Sequence, residues 1–193
     1  GGTVQYRTAT SGDGSTWDTA KPTRTNQGTT TVYVRVNADT NHNTVDCYVS
    51  GTTNASIAIA KKALTITAKA QTISYGGSIT QGTGQITSSG LVSGHSITAI
   101  TLTPSTANYT TSGTITPSAA TVKDGSNNDV TDNYNITYNT GTLTINKVNA
   151  TCPTLTSYSG TYDGTSHTIT VGSNAAGGTV QYRTATSGDG STW

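Results

Sequence analysis

The chain has 193 residues, a formal net charge of +1 and only 10% charged residues, against the ~25% usual in soluble domains. It holds 45 Thr and 20 Ser but no Glu, no Met and no Phe, a composition that disfavours helices and favours strands. The near-zero charge excludes the basic footprint of a nucleic-acid or anionic-membrane binder, and no apolar run approaches the ~18 residues of a membrane helix.

In chain order the first signal is a repeat. Residues 1–17, GGTVQYRTATSGDGSTW, recur letter for letter at 177–193, an offset of 176. Chance does not produce such a match, so the sequence is expected to be a window of a tandem array with a 176-residue period. A Gly-rich turn is expected at Ser11–Gly14. Residues 31–36 alternate, with Val32, Val34 and Val36 on one face, and 57–60 form a strand that closes on Lys61-Lys62. New strand material follows at once in Leu64–Ala68. Turns are expected at Tyr75-Gly76-Gly77 and Lys123–Asn128. Tyr134, Ile136 and Tyr138 share a face, and 142–145 form a strand that closes on Lys147. A turn at Asp163-Gly164 and a strand over 168–171 complete the series. Alternation of this kind suits antiparallel sheets with one wet face, here covered by Thr.

The two lysine-closed strands set domain junctions near Lys62 and Lys147. Residues 63–147 then form a complete domain of about 85 residues. Residues 1–62 are the C-terminal part of a split domain, and 148–193 are the N-terminal part of its next copy. No Pro/Ser-rich linker separates them, so neighbours are expected to be joined tightly. The expected fold class is all-β: tandem small β domains with at most a helical turn.

The residues Lys62–Ala68, Tyr75-Gly76, Gly90–Gly94, Asn133–Tyr138 and Gly141–Ile145 together resemble the MBG ("mostly β-grasp") repeat of bacterial surface proteins. The split domain resembles a bacterial immunoglobulin-like repeat, through Tyr162-Asp163-Gly164, Gly178–Tyr182, Asp13–Trp17, Lys21-Pro22-Thr23, Asn26–Val36 and Asn41-His42-Asn43. These resemblances imply a β-grasp-like domain beside an Ig-like β-sandwich. They also imply an extracellular setting on a bacterial cell surface, in a long adhesin-like protein.

Few residues point to chemistry. Cys47 and Cys152 form a candidate disulfide with the neighbouring repeat, across a loop of 71 residues. Such a bond adds roughly 4 kcal/mol in the chain-entropy picture, and an extracellular setting permits it; the alternative is two separate thiols. No cysteine pair has metal-ligand spacing, so no metal and no cofactor are expected. His42, His95 and His167 stand apart from any nucleophile, and no catalytic residue is assigned. Asp124–Asp129 superficially resembles a calcium loop but lacks the spacing of an EF-hand and reads first as a hairpin turn. Lysines near strand ends (Lys61, Lys62, Lys123, Lys147) raise Lys–Asn isopeptide chemistry, against which stands the shortage of acids. Asn54, Asn108, Asn135 and Asn149 begin sequons that follow from composition. Trp17 and Trp193 are one site seen twice, either a stacking platform for a sugar or a ring that caps the core.

The expected function is a non-enzymatic stalk or spacer repeat whose partners are neighbouring repeats. Two alternatives accompany it. The repeats are themselves a weak, multivalent surface for host or glycan, or they build a filament head to tail, with 148–193 of one copy completed by 18–62 of the next.

Overall fold

The computed structural model describes residues 1–8, 17–47, 55–173 and 177–182. The expected turn at Ser11–Gly14, the Asn54 sequon and Trp193 lie outside the described residues. The fold is all-β, built as small β domains. Its helical content among the described residues is two single 3-10 turns, Thr83–Gln85 and Thr131–Asn133.

The packed core belongs to the middle of the chain. Its strands are β5 (Lys62–Ala68), β6 (Gln71–Ser74), β7 (Ile86–Ser89), β8 (Ser96–Pro104), β9 (Thr110–Lys123), β10 (Tyr134–Asn139) and β11 (Gly141–Asn146). One sheet has the order β10-β5-β7 and the other β6-β11-β9-β8. The pairs β5/β10 and β6/β11 are parallel, and β5/β7, β9/β11 and β8/β9 are antiparallel. The alternation suits antiparallel sheets, and two of these five pairs are parallel instead. The chain from β6 to β10 is long enough to return its last strand in the same direction as its first, which no local pattern records.

Two segments change sheet without a loop. β5 leads into β6 across Lys69-Ala70, and β10 leads into β11 across Thr140. Side by side they curl one sheet into the other. At the bend Gly141 is fully enclosed: a Cβ there would lie 2.5 Å from the Ala68 carbonyl oxygen and 2.7 Å from that of Lys69. No side chain fits, so glycine is required at this crossing.

Alternation along these strands fills the space between the sheets. Leu64, Ile66, Leu102, Ile115, Val122, Leu143 and Ile145 are each at most 2% exposed, and each such burial contributes roughly 1.5–3 kcal/mol. Tyr134 is the one aromatic in this buried cluster. Its hydroxyl accepts the Val92 N–H (3.1 Å) and lies 2.7 Å from His95 Nδ1, so its polar tip is satisfied at the core's edge.

Two glutamines stand in for missing strand partners. Leu102 N–H donates to Gln81 Oε1 (3.0 Å), and Gln81 Nε2 donates to the Leu102 carbonyl (2.8 Å). Gln71 clasps Thr80 in the same way, at 2.7 and 3.0 Å. Gln81 thereby covers the open edge of β8. It also explains Pro117 inside β9. Pro117 lies opposite Leu102, whose polar groups point away to Gln81, so this pair exchanges no ladder bond. The missing N–H of Pro117 faces the other side, beyond Ile115↔Gly141, where pairing with β11 has ended.

β8 and β9 slip register between Ala99 and Thr101. Ala119 takes φ 51° in the bulge, and the freed Ala120 N–H is taken by the Tyr138 hydroxyl at 2.9 Å.

The N-terminal residues form a different object. β1 (Val4–Thr8), β2 (Gly28–Val36), β3 (Val45–Asp46) and β4 (Ala55–Ile59) make one antiparallel sheet centred on β2. Among the described residues it is a single layer, with Val32, at 9% exposure, its one buried hydrophobic residue. Beyond the core, β12 (Leu155–Thr156) and β13 (Thr170–Val171) form a short two-stranded pair.

Candidate functional site

Three places in the molecule bear on function: the two faces of the N-terminal sheet, the groove beside β12, and the contact between the N-terminal sheet and the core.

Period-2 alternation divides the sheet into two chemistries. Register pairs Val4 with Val36, Tyr6 with Val34 and Thr8 with Val32. These side chains share a face with Val45, Ile57 and Ile59. Charge enters that face at its margins alone among the described residues: Asp18 beside Tyr6 and the Arg24 guanidinium at Thr30. The opposite face carries Gln5, Arg7, Tyr33 and Arg35.

Trp17 lies on the charged face. Asp18 bridges to Tyr6 on the outer edge of β1 through two backbone bonds of 2.6 and 2.8 Å, which brings the preceding ring over the sheet. The Arg7 guanidinium lies 4.8 Å and that of Arg35 4.4 Å from the ring centroid, and Arg7 also lies 5.3 Å from the Tyr33 ring. Arg35 is aimed by Gln5, whose Oε1 accepts its Nε (3.0 Å) and Nη2 (2.8 Å) and Asn37 Nδ2 (2.6 Å). The ring surface offered as a sugar platform is thus shared with two cations. Trp17 is half-buried on the side of the sheet away from the valines. Tyr33 and Arg35 were legible as the residues alternating with the valines. Arg7 was not, because the β1–β2 register is long-range.

The cysteines are free and exposed. Cys47 N–H donates to the Val34 carbonyl (2.9 Å), one residue past β3. Cys152 lines a groove of about 350 Å³ with Leu155, Ile169, Val180 and Tyr182.

The sheet and the core touch through a polar clasp. Arg24 organises the loop before β2: its Nε donates to the Asn26 carbonyl (2.8 Å), Nη1 to Thr30 Oγ1 (2.8 Å) and Nη2 to the Gln27 carbonyl. The loop presents Gln27 N–H to Asn133 Oδ1 (2.8 Å), while Asn133 Nδ2 donates to Asn26 Oδ1 (3.0 Å). Asn133 sits in the 3-10 turn ahead of β10. Only Ala60 and Lys61 separate β4 from β5. No sequence signal marks Arg24, and Asn133 stands out only as the first residue of the Asn133–Tyr138 piece.

The remaining candidates are accounted for by turns. Asp124 accepts the Ser126 and Asn128 N–H groups (both 2.9 Å) and Asn128 Nδ2 (3.0 Å). These donors, Asn128 first, hold its carboxyl below the ordinary value. Thr131 does the same for Asp129. His167 Nε2 lies 2.9 Å from Asp163 Oδ1 and 3.3 Å from Thr165 Oγ1. Carboxylate and hydroxyl meet the same ring nitrogen, so the group has no relay geometry. His42 lies on Asp39 (2.7 Å) and His95 on Tyr134. Lys123 Nζ donates to Asn127 Oδ1 (3.1 Å) in the exposed turn, and Lys147 lies 4.7 Å from the Tyr109 ring. No group of three metal-binding side chains occurs among the described residues.

No family model, curated protein or solved structure matches the chain.

Proposed function

We propose that the chain is a structural spacer: a repeat of a long extracellular, adhesin-like surface protein that sets distance and stiffness and carries no catalysis. The observation that carries this reading is the 17-residue identity at an offset of 176. Selection for a binding or catalytic site does not require a whole unit to be copied, whereas selection for length does. The resemblance to MBG and immunoglobulin-like repeats supports the same setting. Stiffness is supported by the two-residue connection at Ala60-Lys61 and by the Asn26/Gln27–Asn133 clasp. With only 10% charged residues, such a spacer has little to adhere with.

The test is a series of chains with two, three and four periods, measured by small-angle X-ray scattering. Each period holds two small β domains, so the maximum dimension grows by a constant increment of roughly 60–80 Å. Asn133→Ala shortens the increment by letting the joint bend. Growth with the square root of repeat number, or binding of host cells or glycan arrays by clustered repeats alone, overturns the spacer reading.

A further inference from the structure

The bent segments make one curled sheet out of two. β5 runs into β6 and β10 into β11, so the combined order is β7, β5–β6, β10–β11, β9, β8. In a closed barrel the outer strands β7 and β8 would pair. Here they do not, and the gap between them needs cover. The segment Tyr75–Gln85, which joins β6 to β7, supplies it: Gln81 bonds Leu102 of β8, and the 3-10 turn Thr83–Gln85 lies against the same strand.

The ends of this segment are fixed and its middle is lightly held. At one end Gly77 N–H donates to the Ser74 carbonyl (2.9 Å). At the other, the Gln85 carbonyl accepts the Lys69 N–H and the Gly84 carbonyl accepts Lys69 Nζ, both at 2.8 Å. The corners are Gly76 at φ 82° and Gly82 at φ 98°, left-handed values that glycine reaches without strain. Between the corners, residues 78–81 make no backbone–backbone hydrogen bond among the described residues. They rest on Ile79, half-buried against the core, and on the two glutamine clasps. The clasps fall on consecutive residues. Gln71 holds Thr80 through its N–H and carbonyl, and Gln81 holds Leu102 in the same way. A single rigid peptide joins Thr80 to Gln81, so neither clasp is released without pulling on the other.

We propose that residues 77–82 are a strap that opens as one unit on the Gly76 and Gly82 corners, and that this strap guards the gap beside β8. Closed, it seals the gap with Ile79 and Gln81. Open, it bares the Leu102 N–H and carbonyl on a strand with no charged residue from Ser96 to Pro104, the kind of edge that folded sheets keep covered. The opening is local. It breaks four side-chain hydrogen bonds and unseats one side chain, while every strand pair of the core stays formed, and openings of this kind lie below global unfolding in free energy.

The inference does not rest on the spacer reading, and its test reads neither length nor binding. Amide exchange is followed residue by residue by NMR on the full chain. The Thr80 and Leu102 N–H groups each donate into a clasp. In the parent chain they are expected to share one protection factor, about tenfold or more below that of Ile66 in the central strand β5. Gln71→Ala removes the Thr80 clasp and leaves Gln81 intact. Leu102 is nonetheless expected to exchange about tenfold faster, with Ile66 unchanged. Gln81→Ala is expected to speed exchange at Thr80 by a similar factor. Leu102 exchange within about twofold of the parent in Gln71→Ala would make the clasps independent and overturn the strap. Parent amides at Thr80 and Leu102 that exchange only as slowly as Ile66 overturn it too. So does a rise at Ile66 equal to that at Leu102, which would mean that the whole domain opens.

Discussion

Gly141→Ala tests the account of how the two sheets join. The added Cβ meets the carbonyl oxygens of Ala68 and Lys69 at 2.5 and 2.7 Å, against an ordinary contact of 3.4 Å or more. Both obstacles are backbone, in a segment paired on both sides of the bend, so they must move by about 0.8 Å together. Overpacking costs ~1–3 kcal/mol, and rigid neighbours put this site at the top of that range. The alanine recovers ~0.4–1 kcal/mol through the unfolded chain. The net loss is about 2–3 kcal/mol, from a total of roughly 4–13 kcal/mol for a domain of this size. Hydrogen exchange followed by mass spectrometry on β5 and β11 reads this domain within the full chain, and exchange should be about thirtyfold faster or more. Gly84→Ala is the control, because its Cβ meets nothing within 4 Å; it should leave exchange unchanged or slower. Exchange in Gly141→Ala within threefold of the parent would show that the crossing has slack, and the argument for the bend would fall.

Other outcomes follow from the same contacts. Gln81→Ala leaves the Leu102 N–H and carbonyl without their clasp; it should cost ~1–3 kcal/mol, read as faster exchange at Leu102. Trp17→Ala removes a ring from two guanidiniums, and at ~0.5–1 kcal/mol each it should speed exchange in β2 without touching β9. The carboxyls of Asp124 and Asp129 are lowered in the fold, so the folded state holds fewer protons than the unfolded chain. Their contribution is complete above the unfolded value near ~3.9 and is lost as pH falls through the folded values. Urea midpoints should be flat from neutral pH down to that point and fall below it, and Asp124→Asn should make the fall shallower.

Much of the fold was legible where residues speak for themselves. Residues 31–36, 64–68, 134–138 and 142–145 alternate cleanly, and each lies within a strand. The Asp124 turn was legible for the same local reason. β9 was not, because Gly113 and Pro117 break its pattern; their tolerance depends on where β11 stops and on Gln81, both distant in sequence. The parallel pairing of first and last strands escaped for the same reason. At the candidate site the valine face could be read from Val32, Val34 and Val36. The Arg7–Trp17–Arg35 stack depends on the β1–β2 register and on the Asp18 bridge to Tyr6. The Asn133 clasp joins residues over a hundred apart, and nothing local announces it.

The side-by-side run of 62–74 and 134–146 has a mechanical meaning. The chain enters the core at Lys62, the start of the first bent segment, and leaves it at Asn146, the end of the last. These segments are parallel, from Tyr134↔Lys62 through Asn139↔Thr67 and from Leu143↔Gln71 through Asn146↔Ser74. Tension applied at the two exits pulls the segments past each other along their length. The load is then carried by all the rungs at once, in shear, and no rung opens ahead of the others as in a zipper. A module wired this way resists being drawn out by flow or by a tethered cell.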